Sequence, residues 1–581
     1  MQFIELAKVF EKLEATTKRL EMFEILSNFF KIINKDEVDK VVYLCQERLL
    51  PSFKGLEIGM AEKMVEKAIA KATGVSMDKV IAEYKKLGDL GLVAETLLQK
   101  KPKTLFIRKK LSITDVYMRL YKIAEISGEG SVEKKIEETV GLLVNSSPLE
   151  ARYIVRFILG RLRLGIGDPT IMDSLSKAIS GDRTKLREDI ERAYNLCSDL
   201  GLVASILFKK GVKGLKEFKV TLNSPIRMAL AERLTSAEEI IKKIGKCAVE
   251  TKYDGLRLQC HYDGKNVEIF SRNQERMTHM FPDIVEGIKK QIKAKTAILE
   301  GEAVAFNEAT GEFFPFQITI QRKRKYGVKE MAKEFPLVLF AFDLLYLNGK
   351  DLTNVAYEKR TSLLRKIIKE GATIRTTERI ITDDPAELEK FFEINVEKGT
   401  EGIIAKRLDA IYQAGARNFN WIKLKRSYKG ELQDTIDVVI VGYFKGRGLR
   451  ARLGIGALLG CIYDDKTDTF KTIAKIGSGL SEEKWQELRL LLDKIKLEKK
   501  PPRVESEIEP DVWTEPFYVF TVRADEITKS PVHTAGKTKL EPGFALRFPR
   551  IEGWIRDKKP EDATTLKEII EMFKMQKKVK E

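Results

Sequence analysis

A lysine near the middle of the chain stands among residue types that could carry out phosphoryl transfer. The segment ETKYDGLR (residues 250–257) is typical of a strand, and because side chains alternate along a strand, Glu250 and Lys252 project from the same face. Gly255 allows the chain to turn sharply after the strand. A lysine held among other cations can lose its proton near neutral pH, and the neutral amine can then attack the α-phosphate of a nucleotide. The pattern K-x-D-G is short, so by itself it only suggests this chemistry, and an exposed strand lysine is the alternative.

Acidic and basic side chains that could complete such a site follow further along the chain. The segment AILEGEAVAF puts Glu300 and Glu302 on one strand face, where paired carboxylates could hold a divalent cation or ribose hydroxyls. Without other motifs we would favour a solvated edge strand here. EGIIAKR adds Glu401, and WIKLK (residues 421–425) puts a tryptophan and two lysines on one face, where the lysines could neutralise phosphate oxygens in a transition state. Taken one by one, these residues are more simply explained as ordinary surface charges.

The elements that must position these residues change character twice along the 581 residues. The first 220 or so carry apolar residues at helical spacing, and Ser147-Pro148-Leu149-Glu150 combines a capping serine with a first-turn proline and a glutamate that can close a capping box. Strands mixed with helices follow, with Asp263-Gly264 as a tight-turn signal, and then short strands around one helix, which suit an OB-type barrel. We therefore predict a multidomain protein with an all-α domain at 1–222, an α+β domain at 223–427 and a C-terminal OB-fold β-barrel at 428–581.

The charge balance indicates a polyanionic partner. The formal net charge is +18 and the pI is near 9.3, which favours nucleic acid or an acidic membrane surface. We find no apolar run long enough to span a bilayer, and the charged N-terminus does not resemble a secretory signal. The five cysteines form no CxxC pair, so we expect reduced, buried thiols in an intracellular protein and no zinc module. The three histidines, His261, His279 and His533, are expected to be structural or surface residues rather than acid–base catalysts.

The order of the motifs resembles a known family. KYDG, SRN, LEGE, FDLLYLNG, EGIIAKR and WIKLK occur in sequence, and together they are similar to the nucleotidyltransferase motifs of ATP-dependent DNA ligases. FALRFPR and RDKKPEDATT near the C-terminus resemble that family's last motif, while SPVHTAG and GRLRLGIGDPTIMDSL are similar to segments of the replicative ligases of archaea and eukaryotes. The resemblance covers nearly the whole chain. It implies a helical DNA-binding domain, an adenylation domain and an OB-fold domain, in that order.

The resemblance also implies a role for each matching residue. Lys252 would form a covalent lysyl-AMP, Glu250 would read the adenine amino group, and Phe342 would stack on adenine. Phosphate of the nucleotide or of the nick would be contacted by Arg257, Arg272, Arg417, Lys423 and Lys425. Glu302 would contact the ribose or the metal, and Glu401 would help to bind the metal. In the last motif Arg547, Arg550, Arg556 and Lys558 match, but Arg556 adjoins Asp557, whereas the family usually has one residue between the arginine and the aspartate.

These roles imply an enzyme that seals nicks in double-stranded DNA during replication, repair and recombination. The cofactors would be ATP and Mg²⁺, with Mn²⁺ as an alternative, and three successive transfers would move AMP from ATP to Lys252, then to a 5′-phosphate, and finally release it as the 3′-hydroxyl attacks. Joints near 222 and 428 would let the barrel present Arg547 and Arg550 during lysine adenylation and swing to DNA afterwards. We expect a monomer that is cytoplasmic and associated with the nucleoid, with no membrane contact.

DNA would be gripped through its phosphates without sequence readout, because nicks occur anywhere. Arg161 and Arg163, in a glycine-flanked turn before a helix start, are the first candidates, and the basic loop FKGRGLRARLG (residues 444–454) is the second. The alternative for the first is a solvated basic turn. Gln99 followed by Leu105 and Phe106 partly resembles a sliding-clamp peptide, but the second aromatic residue is missing and we favour an ordinary helix-end turn.

Three other functions compete with this prediction. An RNA ligase or an mRNA-capping enzyme would share the lysine motif and the barrel, but the long helical N-terminal domain favours a DNA ligase. An NAD-dependent ligase would be expected to carry a four-cysteine zinc module, which this chain lacks. A catalytically silent scaffold that binds DNA or a clamp would leave the ordered set of charged residues unexplained.

Overall fold

The computed structural model describes residues 1–100, 110–307, 312–313, 319–323, 327–398, 400–425, 435–446, 453–524 and 526–578. The chain divides into two compact units, one made of Met1–Tyr194 with Asp199–Phe218 and the other of Asn195–Ser198 with Lys219–Glu581. No helix in these described ranges is both long and apolar enough to cross a membrane. The five cysteines are all buried and unbridged, as the sequence predicts.

The first unit is built from helices, which confirms the helical prediction for this part of the chain. In its described residues they are α1 (Phe3–Ala15), α2 (Arg19–Ile32), α3 (Val38–Cys45), α4 (Glu62–Thr73), α5 (Met77–Leu87), α6 (Leu90–Gln99), α7 (Ile113–Glu125), α8 (Ser131–Asn145), α9 (Pro148–Ile158), α10 (Asp168–Ser180), α11 (Arg187–Cys197) and α12 (Leu200–Lys216). Each amphipathic helix buries one stripe; in α1 the stripe includes Phe3, Leu6, Phe10 and Leu13, at the spacing of successive helical turns.

The predicted start of α9 is confirmed by its hydrogen bonds. The Glu150 carboxylate accepts the amide hydrogen of Ser147 at 2.7 Å, and the Ser147 hydroxyl accepts the amide hydrogen of Glu150 at 3.4 Å. Pro148 occupies the first helical position, where its missing N–H costs nothing. This reciprocal cap fixes where the helix begins and therefore where the turn after it, Gly160–Gly167, emerges.

The second unit begins with an α+β part made of two sheets and their covering helices. Its elements are β1 (Leu230–Arg233), α13 (Ala237–Ile244), β2 (Cys247–Lys252), β3 (Leu256–Tyr262), β4 (Val267–Ser271), α14 (Pro282–Gln291), β5 (Ala297–Asn307), β6 (Glu312–Phe313), α15 (Val328–Glu334), β7 (Leu337–Leu347), β8 (Lys350–Asp351), α16 (Tyr357–Ile367), β9 (Ile374–Thr376), β10 (Arg379–Thr382), α17 (Pro385–Glu397), β11 (Gly402–Arg407) and β12 (Arg417–Lys425). The strand order is β1-β12-β11-β2-β10 in one sheet and β4-β3-β5-β7-β8 in the other, where β6 joins β5 and β9 joins β7.

Strand β5, which carries Glu300 and Glu302, lies between β3 and β7 in the interior of its sheet. The alternative interpretation of this segment, a solvated strand at the edge of a sheet, is therefore wrong. The predicted turn at Asp263-Gly264 does connect β3 to β4. The chain also bends at Gly255, between β2 and β3, as predicted. Glycine is favoured there for a further reason, because a Cβ would lie 2.4 Å from the carbonyl oxygen of Ala303.

The rest of the second unit is rich in β-strands. Its described elements are β13 (Thr435–Phe444), β14 (Ala457–Asp464), β15 (Thr469–Ile476), α18 (Glu482–Lys494), β16 (Lys496–Leu497), β17 (Val504–Glu505), β18 (Val512–Thr514), β19 (Val519–Arg523), β20 (Glu526–Ser530), β21 (Gly543–Arg547), β22 (Arg550–Glu552) and α19 (Leu566–Lys578). Alternate residues of β13 enter two apolar clusters: Val438 and Ile440 pack with α18 and α19, while Val439 and Val441 pack on the other face. The predicted order of a helical, an α+β and a β-rich part is thus confirmed.

The predicted domain boundaries stay predictions. The one at 222 lies near the end of the first compact unit at Phe218. The one at 428 falls in residues 426–434, outside the described residues, and the α+β and β-rich parts belong to one compact unit.

A fully buried ion pair ties β7 to α16, and we predict that the second unit depends on it. The Arg360 guanidinium donates to Asp343 at 2.7 and 2.9 Å and also to the carbonyl oxygens of Val355 and Ala410, and neither charged side chain is exposed. Arg360→Ala would leave a buried carboxylate without its partner and should lower the free energy of unfolding by about 3–5 kcal/mol. Chemical denaturation measures this. Arg407→Ala, which removes an exposed ion pair with Asp409, is the control and should cost less than about 1 kcal/mol; equal losses would contradict the prediction.

Candidate active site

The second unit contains a cavity of about 420 Å³ lined mainly by charged and aromatic side chains. Its walls come from β2 and β3, from β5 and β7, from β11 and β12, and from the C-terminal segment that precedes α19. All the residues predicted for nucleotide and metal binding line it: Glu250, Lys252, Arg257, Arg272, Glu302, Phe342, Glu401, Arg417, Lys423 and Lys425. Arg556 and Lys558 also line it. A cavity of this size suits a nucleotide-sized ligand.

Backbone pairing fixes the position of Lys252. In the antiparallel pairs β2–β11 and β11–β12, Gly402 lies opposite Lys252 on one side and Lys425 on the other. The amide of Glu401 donates to the carbonyl oxygen of Lys252 at 3.0 Å, so the Glu401 side chain stands between the two lysines. Its carboxylate accepts a hydrogen bond from the Lys252 ammonium and pairs with the Lys425 ammonium at 2.6 Å. The immediate partner of Lys252 is therefore an acid, and the same acid also pairs with Lys425.

Three carboxyl groups crowd this end of the cavity. Burial would raise the pKa of Glu401, but the charges of Lys252 and Lys425 and the hydrogen bonds they donate hold it well below its usual value. Burial raises the pKa of Glu302 to about 7, against the charges of Lys252 and Arg257. Burial and the charge of Glu401 likewise raise the pKa of Asp254. Lys252 and Lys425 thus hold Glu401 in its ionised form, whereas the pKa values of Glu302 and Asp254 are raised.

This donor set fits a divalent cation that arrives with phosphate. No three histidine, cysteine, aspartate or glutamate side chains in the described residues form a ready-made metal cage. Mg²⁺ does not need one, because in phosphoryl-transfer sites it takes one or two carboxylates together with phosphate oxygens and water. The carboxyls of Asp254 and Glu302 line the cavity and supply hard oxygen donors, and a bound cation would favour their ionised forms.

A buried network supports the far end of the cavity. The Glu250 carboxylate pairs with the Lys406 ammonium at 2.6 Å and accepts a hydrogen bond from the Tyr357 hydroxyl. Lys406 is only 1% exposed, and it lies over the rings of Phe342 at 4.5 Å and Trp421 at 4.2 Å from the ring centroids. The charge of Glu250 is thus held in place by residues from three other elements, β11, α16 and β7.

Arg257 is positioned by Glu300, the first glutamate of the LEGE motif. Its guanidinium donates to Glu300 at 2.8 Å and to the carbonyl oxygen of Ala229 at 2.6 Å, and it stacks within 5.3 Å of Phe342. Glu300 is fully buried and also accepts from Gln259 at 3.0 Å and from the Tyr412 hydroxyl at 2.9 Å. Glu300 therefore holds the Arg257 side chain in position but does not line the cavity, whereas Glu302 does line it.

Acids from the C-terminal segment hold the remaining basic side chains. Glu568, on α19, accepts from Arg417 at 2.9 Å and from Lys423 at 3.2 Å, and Arg272 pairs with Asp562 at 3.5 Å. Burial lowers the pKa of Lys423 to about 8, although the charge of Glu568 opposes this shift. These ion pairs keep the cations at the cavity wall.

The last motif reaches the cavity despite its one-residue shift. The backbone amide of Arg556 donates to the carbonyl oxygen of Val519 at 2.8 Å, and Lys558 pairs with the partly buried Asp437. Burial would raise the pKa of Asp437, but the charges of Lys558 and Arg556 lower it overall. Both basic residues therefore remain in the wall although Arg556 directly precedes Asp557.

The two earlier arginines of that motif lie elsewhere. Arg547 ends β21, where it is exposed and pairs with Glu526 at 2.6 Å, and Arg550 begins the neighbouring β22, also exposed. Neither lines the cavity. The expectation that the barrel presents them at this site is not met in this arrangement of the second unit.

The arginines predicted to bind DNA sit in the first unit with internal partners. Arg161 pairs with Glu62 at 2.7 Å, and Arg163 pairs with Asp89 at 3.5 Å. Arg163 has a positive φ of 57°, and its amide donates to the carboxylate of Glu47 at 3.1 Å. Most of the second candidate surface, residues 447–452 of the basic loop, lies outside the described residues, as do Leu105 and Phe106 of the clamp-like segment.

Comparison with known proteins connects this geometry to a family. Residues 228–425 match the family model of the ATP dependent DNA ligase domain, residues 2–176 match that of the DNA ligase N terminus, and residues 451–558 match that of the ATP dependent DNA ligase C terminal region. The chain belongs to the ATP-dependent DNA ligases. These enzymes use ATP and seal nicks in DNA, so the family resemblance seen in the motifs is confirmed.

Relatives of this ligase align along its whole length. A probable DNA ligase of Dictyoglomus turgidum is 54% identical over 581 residues, which covers 100% of this chain and 99% of the relative. The DNA ligase of Hyperthermus butylicus is 47% identical over 601 residues, covering 100% and 98%. DNA ligase 2 of Korarchaeum cryptofilum is 45% identical over 587 residues, with the same coverage.

Sequence reasoning about the ligase site missed several residues. Asp254 lies inside the KYDG motif and Lys406 inside EGIIAKR, and the same-face spacing of Ile404 and Lys406 on β11 could have indicated that Lys406 enters the cavity. Tyr357, Asp437 and Glu568 belong to distant segments, and no local pattern signals them. They come to the site only through tertiary packing.

The buried, neutral side chain of His261 should make the stability of this ligase depend on pH. Burial lowers the pKa of His261 from 6.5 to about 3; its Nδ1 accepts the Asn223 amide hydrogen at 3.0 Å, and Nε2 contacts Gln259 at 2.9 Å. Because the folded pKa lies below the unfolded one, this contribution is complete above pH 6.5 and is lost as the pH falls towards 3, by up to about 1.4 kcal/mol per pH unit. Urea unfolding of His261→Gln between pH 7 and 4 should show a flatter pH dependence than the parent protein. His279→Gln, at an exposed position, is the control; parallel curves for all three proteins would contradict the prediction.

Proposed function

We propose that Lys252 is the nucleophile of this ligase and carries AMP as a covalent lysyl-AMP. The observation that supports this most strongly is the position of its side-chain nitrogen. This nitrogen lies in a cavity. One end of the cavity is a recess formed by aromatic and acidic side chains, and the other end carries basic side chains from two parts of the chain. The Glu401 carboxylate accepts its hydrogen bond and thereby orients the nitrogen. A lysine suits this role because the phosphoramide it forms with AMP can pass the AMP onward.

The adenine is proposed to lie in the recess formed by Glu250, Phe342 and Trp421. A ring stacked on Phe342 would bring its amino group towards Glu250, and each carboxylate oxygen can accept a further hydrogen bond beyond those from Lys406 and Tyr357. The edge-to-face contact between Phe342 and Trp421, with centroids 6.0 Å apart, holds the stacking surface in position. Glu302 lines the cavity where the ribose would follow.

The triphosphate is proposed to extend along the basic wall. The cations available there are Arg272, Arg417, Lys423, Lys425, Arg556 and Lys558. In the first step the Lys252 nitrogen attacks the α-phosphorus, the N–P bond forms, and the bond to the leaving pyrophosphate breaks. The basic side chains would stabilise the charge that develops on the departing oxygens.

The later steps reuse the same wall. The 5′-phosphate of a nick attacks the lysyl-AMP phosphorus, a P–O bond forms, and the N–P bond breaks to release Lys252. The 3′-hydroxyl then attacks the activated 5′-phosphate, and AMP leaves. We propose that Glu302, Glu401 and Asp254 hold Mg²⁺, or Mn²⁺, which would draw charge from the phosphoryl oxygens. The protein's own contribution is to fix Lys252 and to keep the cations directed into the cavity.

The DNA contacts, assembly and location of this ligase are also proposals. We propose that Arg161 and Arg163 contact phosphates of nicked double-stranded DNA, that the ligase acts as a monomer, and that it works in the cytoplasm in association with the nucleoid. We also propose a sliding clamp as a partner. This proposal rests on the incomplete clamp-like segment that contains Gln99, Leu105 and Phe106.

Covalent labelling tests the nucleophile directly. Incubation with ATP labelled at the α-phosphate should attach an acid-labile label to the protein, and Lys252→Ala should abolish it by removing the attacking nitrogen. Lys265→Ala, at an exposed lysine in the β3–β4 turn, is the control and should label normally. Label that persists in Lys252→Ala would refute the proposal. Sealing of nicked DNA but not nicked RNA by the labelled protein would separate a DNA ligase from an RNA ligase.

Salt dependence tests the proposed DNA contacts. The affinity for a nicked duplex should fall steeply as salt rises from about 50 to 200 mM, because phosphate contacts release counterions. Arg161→Ala should weaken binding and reduce the slope of log K against log[salt] by about 1. Glu62→Gln removes the internal partner of Arg161 and should leave binding unchanged or strengthen it. A flat salt response, or weaker binding in Glu62→Gln, would contradict the assignment.

A further inference from the structure

Lys323 joins three separated segments at the rim of the cavity. Its ammonium donates to Asp557 at 2.7 Å and to Glu275 at 2.9 Å. Asp557 stands between Arg556 and Lys558, the two basic residues by which the last motif enters the cavity. Glu275 belongs to the turn after β4, directly beyond Arg272. Lys323 thus connects the last motif to the turn that carries Arg272, another basic residue of the cavity.

The backbone beneath Lys323 is fixed by its neighbour. Arg322 ends a short 3-10 helix, Ile320–Arg322, and is only 1% exposed. Its guanidinium makes a two-pronged contact with Asp283 at 2.8 and 3.0 Å and donates to the carbonyl oxygen of Phe335 at 2.5 Å. A planar, fully paired guanidinium leaves its own backbone little freedom. The direction in which Lys323 projects is therefore set by the core of the α+β part.

Contacts beside Lys323 reinforce the same junction. The Asn273 amide reaches Asp557 at 3.5 Å, and the Lys559 ammonium donates to the Gln274 side chain at 3.0 Å. Each of these two hydrogen bonds has one charged partner, whereas the Lys323 ammonium pairs with two carboxylates at once. Without its charge, Glu275 and Asp557 would face each other as two acids, and their repulsion would push the last motif away from the turn.

We propose that Lys323 is a positioning residue that latches Arg556 and Lys558 over the cavity for transfer of AMP to Lys252. This rests on the proposed function of Lys252. Lys323 does not itself line the cavity; it contacts the lining residue Asp557 and acts through it. The latch is needed when the last motif faces the nucleotide, and not when an already adenylated nick is sealed.

The test compares two steps of the reaction in the full-length protein. Single-turnover labelling with α-labelled ATP gives the rate of lysine adenylation, and sealing of a nick that already carries AMP on its 5′-phosphate gives the rate of the last step. Lys323→Ala should slow lysine adenylation by about tenfold, as expected for losing two partly buried ion pairs, and change the last step by less than about twofold. Lys333→Ala, at an exposed lysine on α15, is the matched control and should affect neither rate.

Rescue variants separate a latch from a general loss of structure. Lys323→Arg retains the charge and should recover most of the adenylation rate. Glu275→Gln added to Lys323→Ala removes one of the two facing acids, so the double variant should adenylate faster than Lys323→Ala alone. A variant that merely damages folding would slow both steps and would not be rescued by removing Glu275.

Each outcome bears on one proposal or the other. Equal slowing of both steps, unchanged adenylation in Lys323→Ala, or no gain in the double variant would overturn the latch. Absence of label on the parent protein, or label that survives in Lys252→Ala, would instead overturn the proposed role of Lys252. A parent protein that labels at Lys252, with a Lys323→Ala defect confined to adenylation, supports both.

Discussion

Gly402 pairs with Lys252 on one side and with Lys425 on the other, in the middle of the sheet β2-β11-β12. Its φ of 141° and the 2.2 Å that would separate a Cβ from the carbonyl oxygen of Leu424 leave room for glycine alone. This backbone register sets Glu401 between the two lysines. Much of the rest of the site follows from this placement, because Lys252, the Glu401 carboxylate that accepts its hydrogen bond and Lys425 lie on or directly beside three adjacent strands.

The cavity is assembled from charges that are already paired. Glu250 is held by Lys406, Arg257 by Glu300, Arg417 and Lys423 by Glu568, and Lys558 by Asp437. Buried charges without partners are costly, so a site that must bind a highly charged nucleotide needs internal counter-ions when it is empty. The same pairs fix side-chain positions in advance, which lowers the ordering cost when phosphate binds.

The β-rich part contributes to the site mainly through its C-terminal segment. Asp557 and Asp562 pair with residues of the α+β part, and Glu568 does so from the first turns of α19. These contacts account for Arg556 and Lys558 lining the cavity, whereas Arg547 and Arg550 lie at the exposed ends of β21 and β22. These ion pairs join the segment to the α+β part, and such contacts are sensitive to the loss of single charges.

The amino-acid sequence by itself predicted the order of the domains from local periodicity. The resemblance of its ordered motifs to DNA ligases gave the family and most of the cavity residues between Glu250 and Lys425, although Asp254 and Lys406 were missed. Strand alternation also puts Glu250 and Lys252, or Lys423 and Lys425, on one face wherever the strand lies. Ser147 and Pro148 likewise specified the start of α9, because a helix cap is decided by neighbouring residues.

Only the tertiary structure decided which charges meet. That Lys252 contacts an acid first, that Glu300 is buried behind Arg257 rather than paired with Glu302, and that Lys323 reaches Asp557 all depend on residues far apart in the chain. A one-residue shift in the last motif could not be evaluated from spacing, since the positions of Arg556 and Lys558 are set by Val519 and Asp437. Long-range charge pairing has no local sequence signal, because its energy arises only after folding has excluded water and brought the partners together.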